Sequence, residues 1–453
     1  MTPVEEKLIK YFVKDHGAHI LWDIDAYYTD HDIQEAGSFL RKYRNDSILG
    51  KSFPENIPSR INQEKEASVT GVSLEVGQAK AIGEQVGDLV NQGVPLEEIV
   101  IVLPQDYMLF PVLNAIPEQV SKLNVTMGYP LKETPLFGLL EAALEVQEHL
   151  QLSPENGLSF YFKPTLDVLS HPYLYSDNKT QLDLLIRDIR KKNQVRVFQS
   201  DIKELGDTAL QAIFRKLREG ENLANYLYQI VEELGQQVVE RFGLEREYLY
   251  HFQQLLSRLD QILENQSVQV DLKTFKGLFR KATRSVKIPF SGEPVEGLQV
   301  MGVLETRNLD FKHVFMLNMN EDIFPSAQRN GSFIPYRIRK AFDLPTFEVQ
   351  DAIYAYLFYR LFKRSSQLAF FYNTYADFGL SGEVSRFIRQ LEQESDLTIQ
   401  RKRLANSIQV KERNSISIRK SAEVLDKLTV YTVAVLPKDQ MRVSASALYT
   451  YFN

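Results

Sequence analysis

The apolar positions of this 453-residue chain fall into three textures along its length. Between residues 67 and 150, short apolar runs alternate with helix-period segments. Residues 68–74, 98–103 (EIVIVL) and 123–127 read as strands. Residues 78–91 place Ala79, Ile82, Val86 and Leu89 on one helical face, and Gly93 and Pro95 stop that helix. A further helix is expected near 108–116, and another after the loop 128–135 as far as His149. From 151 to 290 the period is helical almost throughout, in the blocks 179–192, 207–219, 223–242 and 247–264, with little β signal. Strand texture then returns at 297–304 and 313–319. Neither run alternates, so both are expected to be covered on both faces, as in a parallel sheet. In 347–362, Ile353, Tyr354, Tyr356, Leu357, Phe358, Leu361 and Phe362 wrap much of a helix, which must then lie buried between layers. QLAFFY at 367–372 completes the set as a buried strand. Because strands resume after the helical block, the pattern predicts an α/β domain with a parallel sheet. It is built from 67–150 and 291–380 and interrupted by a mainly α-helical insertion at 151–290.

The flanks are more polar. Residues 1–66 open with a charged amphipathic helix, with Thr2 and Pro3 at its start and Glu5 and Glu6 in its first turn. A short strand is expected at 18–21, and a Pro-punctuated linker at 51–66. Asp23, Asp25, Asp30, His31 and Asp32 cluster between them. Their spacing is not diagnostic of a metal site, and they read as a polar loop before a helix starting near Ile33. Residues 381–440 predict a helix at 382–394 and a charge-rich connector with Arg401, Lys402, Arg403, Lys411 and Arg413.

Composition narrows the chemistry. Net charge is −6, so nothing pulls the whole chain toward nucleic acid, and any such contact must be local. Two basic clusters lie in the helical block. One holds Arg187, Arg190, Lys191, Lys192 and Arg196. The other, Lys276, Arg280, Lys281, Arg284 and Lys287, is interleaved with Phe275 and Phe279. Cations with aromatics suit a single-stranded backbone. A solvated helix face whose phenylalanines point into a core accounts for the same letters. The absence of cysteine excludes disulfides, zinc ribbons and thiol chemistry within these residues. No apolar run reaches transmembrane length and the N-terminus is too charged for a signal peptide, which fits the cytoplasm.

The stretch from Val295 to Pro325, VEGLQVMGVLETRNLDFKHVFMLNMNEDIFP, resembles the fifth motif of superfamily-1 DNA helicases of the UvrD/RecB type. Arg307, Asn308, Leu309, Asp310 and Phe311 lie over its KGLEF, and residues 320–325 over its EEGLFP end. The letters depart where the motif works: Leu304 stands at its histidine and Asn308 at its glycine. The helix–basic–strand order around 347–372 resembles the sixth motif, with Arg364 nearest its arginine and Lys363 as the alternative. At the fourth motif, Leu103 and Pro104 replace Tyr-Arg. The WDxDxYY and EAGxFLR patterns near the N-terminus are similar to AddB-type proteins. SxSxLxxY at 441–453 resembles the opening of a PD-(D/E)XK nuclease domain.

The resemblance implies a RecA-like (P-loop NTPase-type) sheet, the second of a helicase pair, in an AddB/RecB-type helicase–nuclease of double-strand-break repair and recombination. It also implies that a first RecA-like domain belongs upstream, because GxxxxGK[ST], which holds nucleotide phosphates, does not occur here. Asp310 and Arg364 are the vestigial nucleotide contacts it offers. Arg307 and Asn308, with Arg280, Lys281 and Arg284, are the DNA-binding candidates. No catalytic residue, metal site or cofactor is expected of this chain itself. ATP and Mg²⁺ are implied for the complete helicase–nuclease, with DNA and an AddA/RecB-like subunit as partners. The expectation is thus a DNA-binding or scaffold module without ATPase activity. The alternatives are the C-terminal half of an active helicase and a protein-interaction scaffold that binds no DNA.

Overall fold

The computed structural model describes residues 3–404 apart from 154–156, 176–178, 220, 239–242, 266–269, 291–295, 322, 327–332, 343 and 377–381, together with 421–422. The expected nuclease opening at 441–453 and most of the connector lie outside the described residues.

Seven strands form one sheet: β1 (Glu66–Val72), β2 (Ile99–Leu103), β3 (Leu123–Val125), β4 (Leu298–Gly302), β5 (His313–Met316), β6 (Gln367–Asn373) and β7 (Ile399–Leu404). Their order is β7-β1-β6-β5-β2-β4-β3, and every neighbouring pair is parallel. Both faces are covered, as the non-alternating runs require. On one face Val69, Val100, Val102, Met301, Met316 and Phe370 join a core with helix residues Ala355, Phe358 and Phe387. On the other, Ile99, Ile101, Val300, Phe315 and Phe371 pack with Ala79, Ile82 and Val86. The two sets alternate along each strand, which is the period-2 geometry of a pleated backbone.

Helix α1 (Glu75–Asn91) packs against the second of these cores through the face the spacing predicts. Gly93, at φ +79°, ends it: its N–H donates to Val90 O at 3.0 Å and that of Val94 to Leu89 O at 3.1 Å. Within α1, Gly83 lets the helix touch the backbone of Ala115, since a Cβ there would lie 2.0 Å from the Ala115 carbonyl oxygen. Helices α2 (Pro135–Glu148) and α3 (Leu272–Ser285) belong to the insertion, while α4 (Phe347–Leu361) and α5 (Arg386–Glu394) cover the first face. The insertion has its own core, including Leu139, Leu140, Leu144, Phe160, Leu227, Phe252, Phe275 and Phe279.

Several details differ from the sequence reading. Helix α2 packs in the insertion core although it lies before residue 151, because its Leu139, Leu140 and Leu144 face α3 and its neighbours. The insertion also carries a small antiparallel sheet of Gln151–Ser153, Gly157–Tyr161 and Arg196–Phe198. Residues 18–21 are irregular rather than a strand. Finally, the charged stretch Ile399–Leu404 is a strand, paired with β1 at the sheet edge. No helix among the described residues is long and apolar enough to cross a membrane.

Candidate nucleic-acid interface

The strand order decides where the carboxyl edge can hold a ligand. From β1 the chain steps to β2 and on to β3 at one edge, then returns through β4, β5 and β6 to β7 at the other. The connections leaving β2 and β5, which are neighbours, therefore run in opposite directions. Open parallel sheets bind ligands at such a crevice.

At this crevice the structure collects amides. Asn318, fully buried and at φ +50°, follows β5. Its backbone N–H donates to Oε1 of buried Gln78 at 2.9 Å, and its Nδ2 donates to Gln105 Oε1 at 3.1 Å and to Tyr107 Oη at 3.3 Å. Tyr107 in turn donates to Glu75 Oε1 at 2.5 Å. Burial, then the Glu75 carboxylate, push the Tyr107 hydroxyl above its ordinary value. Gln78 Nε2 and Asn318 Oδ1 are buried with no hydrogen-bond partner among the described residues. Gln105 and Tyr107 thus occupy the end of β2, just beyond Leu103 and Pro104 of the fourth-motif resemblance.

The loop after β4 lies at the same edge. Thr306 is buried, and its hydroxyl donates to Val303 O at 2.7 Å while Leu309 N–H donates to Thr306 O at 3.2 Å. This local turn puts Asn308 at φ +60°, a left-handed conformation that Asn tolerates better than most residues. Arg307 and Asn308 are both exposed, as is Leu304. Phe311 is buried and anchors the loop's far end.

Behind the loop lies a cluster of three cations and two carboxylates. Arg360, 3% exposed near the end of α4, donates from Nε to Asp23 Oδ2 at 2.7 Å and from NH2 to Asp310 Oδ1 at 3.0 Å. Its NH1 donates to the Leu309 carbonyl. Lys363, 4% exposed, donates to the other oxygen of Asp23 at 2.8 Å. Arg364 pairs with Asp310. Burial alone would raise the Asp23 pKa, but the bonds from Lys363 and Arg360 outweigh it and hold the carboxyl below its usual range. The two residues read as nucleotide contacts, Asp310 and Arg364, therefore face each other, and Lys363 is the buried member of the pair of alternatives.

The neighbouring aspartates of the N-terminal segment are also engaged within the chain. Asp25 caps the helix Ala26–Thr29 and accepts from Arg60 N–H at 2.8 Å, and Asp30 pairs with Arg44 at 2.9 Å. Among the described residues no group of three or more His, Cys, Asp or Glu side chains is arranged to hold a metal ion.

In the insertion, Arg280 forks onto Glu141 with bonds of 2.9 Å from Nε to each carboxylate oxygen, and Lys287 pairs with Asp106 at 2.6 Å. Lys281 and Arg284 are exposed. Phe275 and Phe279 are buried, so the rings that would stack on bases face the core instead. Residues 187–196 are dispersed: Lys192 pairs with Asp188 at 2.9 Å, and Arg196 NH1 donates to His149 O at 2.7 Å.

Sequence reasoning did not single out Arg360, Gln78, Gln105 or Asn318. Asn318 carried the one available signal, an amide inside the otherwise apolar run Met316, Leu317, Met319. Compared with known proteins, the chain matches no family model and no curated protein.

Proposed function

We propose that this chain is the helicase-like module of an AddB/RecB-type helicase–nuclease, binding single-stranded DNA and playing a structural role beside a motor subunit, without turning over nucleotide itself. The observation that carries the reading is the pairing of Arg360, Lys363 and Arg364 with Asp23 and Asp310. In the sixth-motif resemblance a cation at this place meets nucleotide phosphate. Here each is met by a carboxylate of the chain. A nucleotide would have to displace Asp23 from two buried cations, and phosphoryl transfer loses orders of magnitude when a charge-stabilising arginine is withheld. In this reading ATP and Mg²⁺ belong to the complete helicase–nuclease, and the chain's own cations are neutralised by its own carboxylates.

Two further features support the reading. A seven-stranded parallel sheet with a helical insertion between its third and fourth strands is compatible with the RecA-like fold that the resemblance implies. The exposed Arg307 and Asn308 lie on the carboxyl-edge loop, placed for phosphate contacts that position a strand rather than read its bases. In this reading the partners are DNA and an AddA/RecB-like subunit, and the setting is cytoplasmic DNA repair.

The test is fluorescence anisotropy with a labelled oligothymidylate at low and moderate salt, comparing wild type with Arg307→Ala/Asn308→Gly, alongside titration of a fluorescent ATP analogue. Glycine keeps the left-handed backbone while removing the amide. The expected result is salt-sensitive strand binding, weakened in the double variant, with no saturable nucleotide binding. Tight nucleotide binding by wild type would favour an active helicase half, and absence of strand binding would favour a scaffold.

A further inference from the structure

Beside the loop after β4, the chain exposes a run of rings and cations that the reading above leaves unassigned. Residues 333–342, FIPYRIRKAF, carry three aromatic residues, three cations and no acid, within a chain of net charge −6. Burial does not claim the rings: Phe333 is fully exposed, Phe342 is 75% exposed and Tyr336 39%. Arg337 and Lys340 are exposed and Arg339 is half-buried. Two of the three cations lie against rings, with Lys340 Nζ 5.8 Å from the centroid of Tyr336 and the Arg339 guanidinium 5.7 Å from that of Phe347. Asp343 follows the segment directly in sequence, and the carboxylate of Glu348 is held by Thr346 and Tyr336.

This segment borders a groove of about 310 Å³ whose lining includes Arg339, Phe347, Ile353 and Leu304. Leu304 belongs to the same loop as Arg307, so the groove joins the segment to the carboxyl edge. Ile353, placed by periodicity on the buried wrap of α4, is instead 40% exposed on the groove wall.

We infer that residues 333–342 and the groove beside Leu304 form a contact surface for single-stranded nucleic acid, with Phe333 and Phe342 offering faces to bases and Arg337 and Lys340 meeting phosphates. Three cations without an acid in ten residues suit a polyanion, and flat rings suit unpaired bases of any sequence. The aliphatic chains between them, Ile334 and Ile338, make a protein segment the competing occupant. Charge favours the strand. The inference rests on the DNA-binding reading and adds a second contact to it, independent of Arg307 and Asn308.

The experiment uses the full chain and a labelled oligothymidylate, with anisotropy followed across salt concentrations. Phe333→Ala/Phe342→Ala is expected to weaken binding about tenfold or more with the salt slope unchanged, because stacking is lost and no phosphate contact is. Arg337→Ala/Lys340→Ala is expected to weaken it at low salt and to flatten the slope by about 1.4, the value for two single-strand phosphate contacts. Circular dichroism and thermal melts should match wild type for both pairs. Wild-type affinity in both pairs, with wild type itself binding, would overturn this surface and leave the DNA-binding reading standing. It would also point to protein as the occupant. Failure of wild type to bind at low salt would overturn both.

Discussion

Helix α3 and the segment 333–342 are written in similar letters, phenylalanines among lysines and arginines, yet they end in opposite environments. In α3, Phe275 and Phe279 stand four residues apart, on one helical face, and sink into the insertion core, where Phe279 stacks on Phe137 with ring centroids 5.6 Å apart. Two of the cations on the other faces find carboxylates, Lys276 on Glu148 and Arg280 on Glu141, while Lys281 and Arg284 are exposed. In 333–342 the short helix Tyr336–Ala341 has no buried residue, and Phe333 and Phe342 lie outside it and are exposed. Spacing relative to the helical period, rather than composition, separates structural aromatics from available ones. The same contrast divides the cations. Arg360 and Lys363 are buried on Asp23, whereas Arg337 and Lys340 face solvent.

The sharpest way to break this comparison is to truncate a ring from each region. Phe279→Ala should cost about 3–5 kcal/mol, the range for a large buried aromatic, and lower the melting temperature accordingly. Phe342→Ala should change stability by about half a kcal/mol or less. Equal losses would mean that the segment is part of the core after all.

Removing the shared carboxylate comes next. Asp23→Ala leaves Arg360 and Lys363 buried without their partner and is expected to cost roughly 3 kcal/mol in urea denaturation. The pH dependence carries the sign of the lowered Asp23 pKa. Its contribution is present above the ordinary aspartate value of 3.8 and is lost as pH falls below that toward the depressed folded value. Urea melts at neutral pH and below 3.8 should therefore differ less in Asp23→Asn than in wild type. An acid limb of equal steepness in the two proteins would show that Asp23 is not the titrating partner.

Smallest is the surface fork in the insertion. Arg280→Ala should cost less than about 1 kcal/mol, as exposed ion pairs do, and leave oligonucleotide affinity unchanged because its guanidinium is already occupied by Glu141. A marked loss of binding would return α3 to the strand-contacting surface.

Much of the sheet could be read directly. The runs EIVIVL and QLAFFY are apolar without alternation, and burial on both faces of a parallel sheet is what such runs require. The edge strand β7 could not be read, because IQRKRL is charged and mostly exposed, and an edge strand next to one neighbour needs little apolar content. At the site, the exposure of Arg307 and Asn308 followed from a polar loop between two apolar runs. The cation cluster did not, since Asp23 and Arg360 lie 337 positions apart in sequence.

By itself, then, the sequence determined the α/β texture, the helical interruption and the loop at the end of β4, because hydrophobic period and turn chemistry act over a few residues. Tertiary structure alone decided which cations meet carboxylates, which phenylalanines meet solvent, and that β2 and β5 sit side by side with Asn318 at their ends. Those outcomes depend on contacts between segments far apart in the chain, where net charge and local period carry no information about the partner.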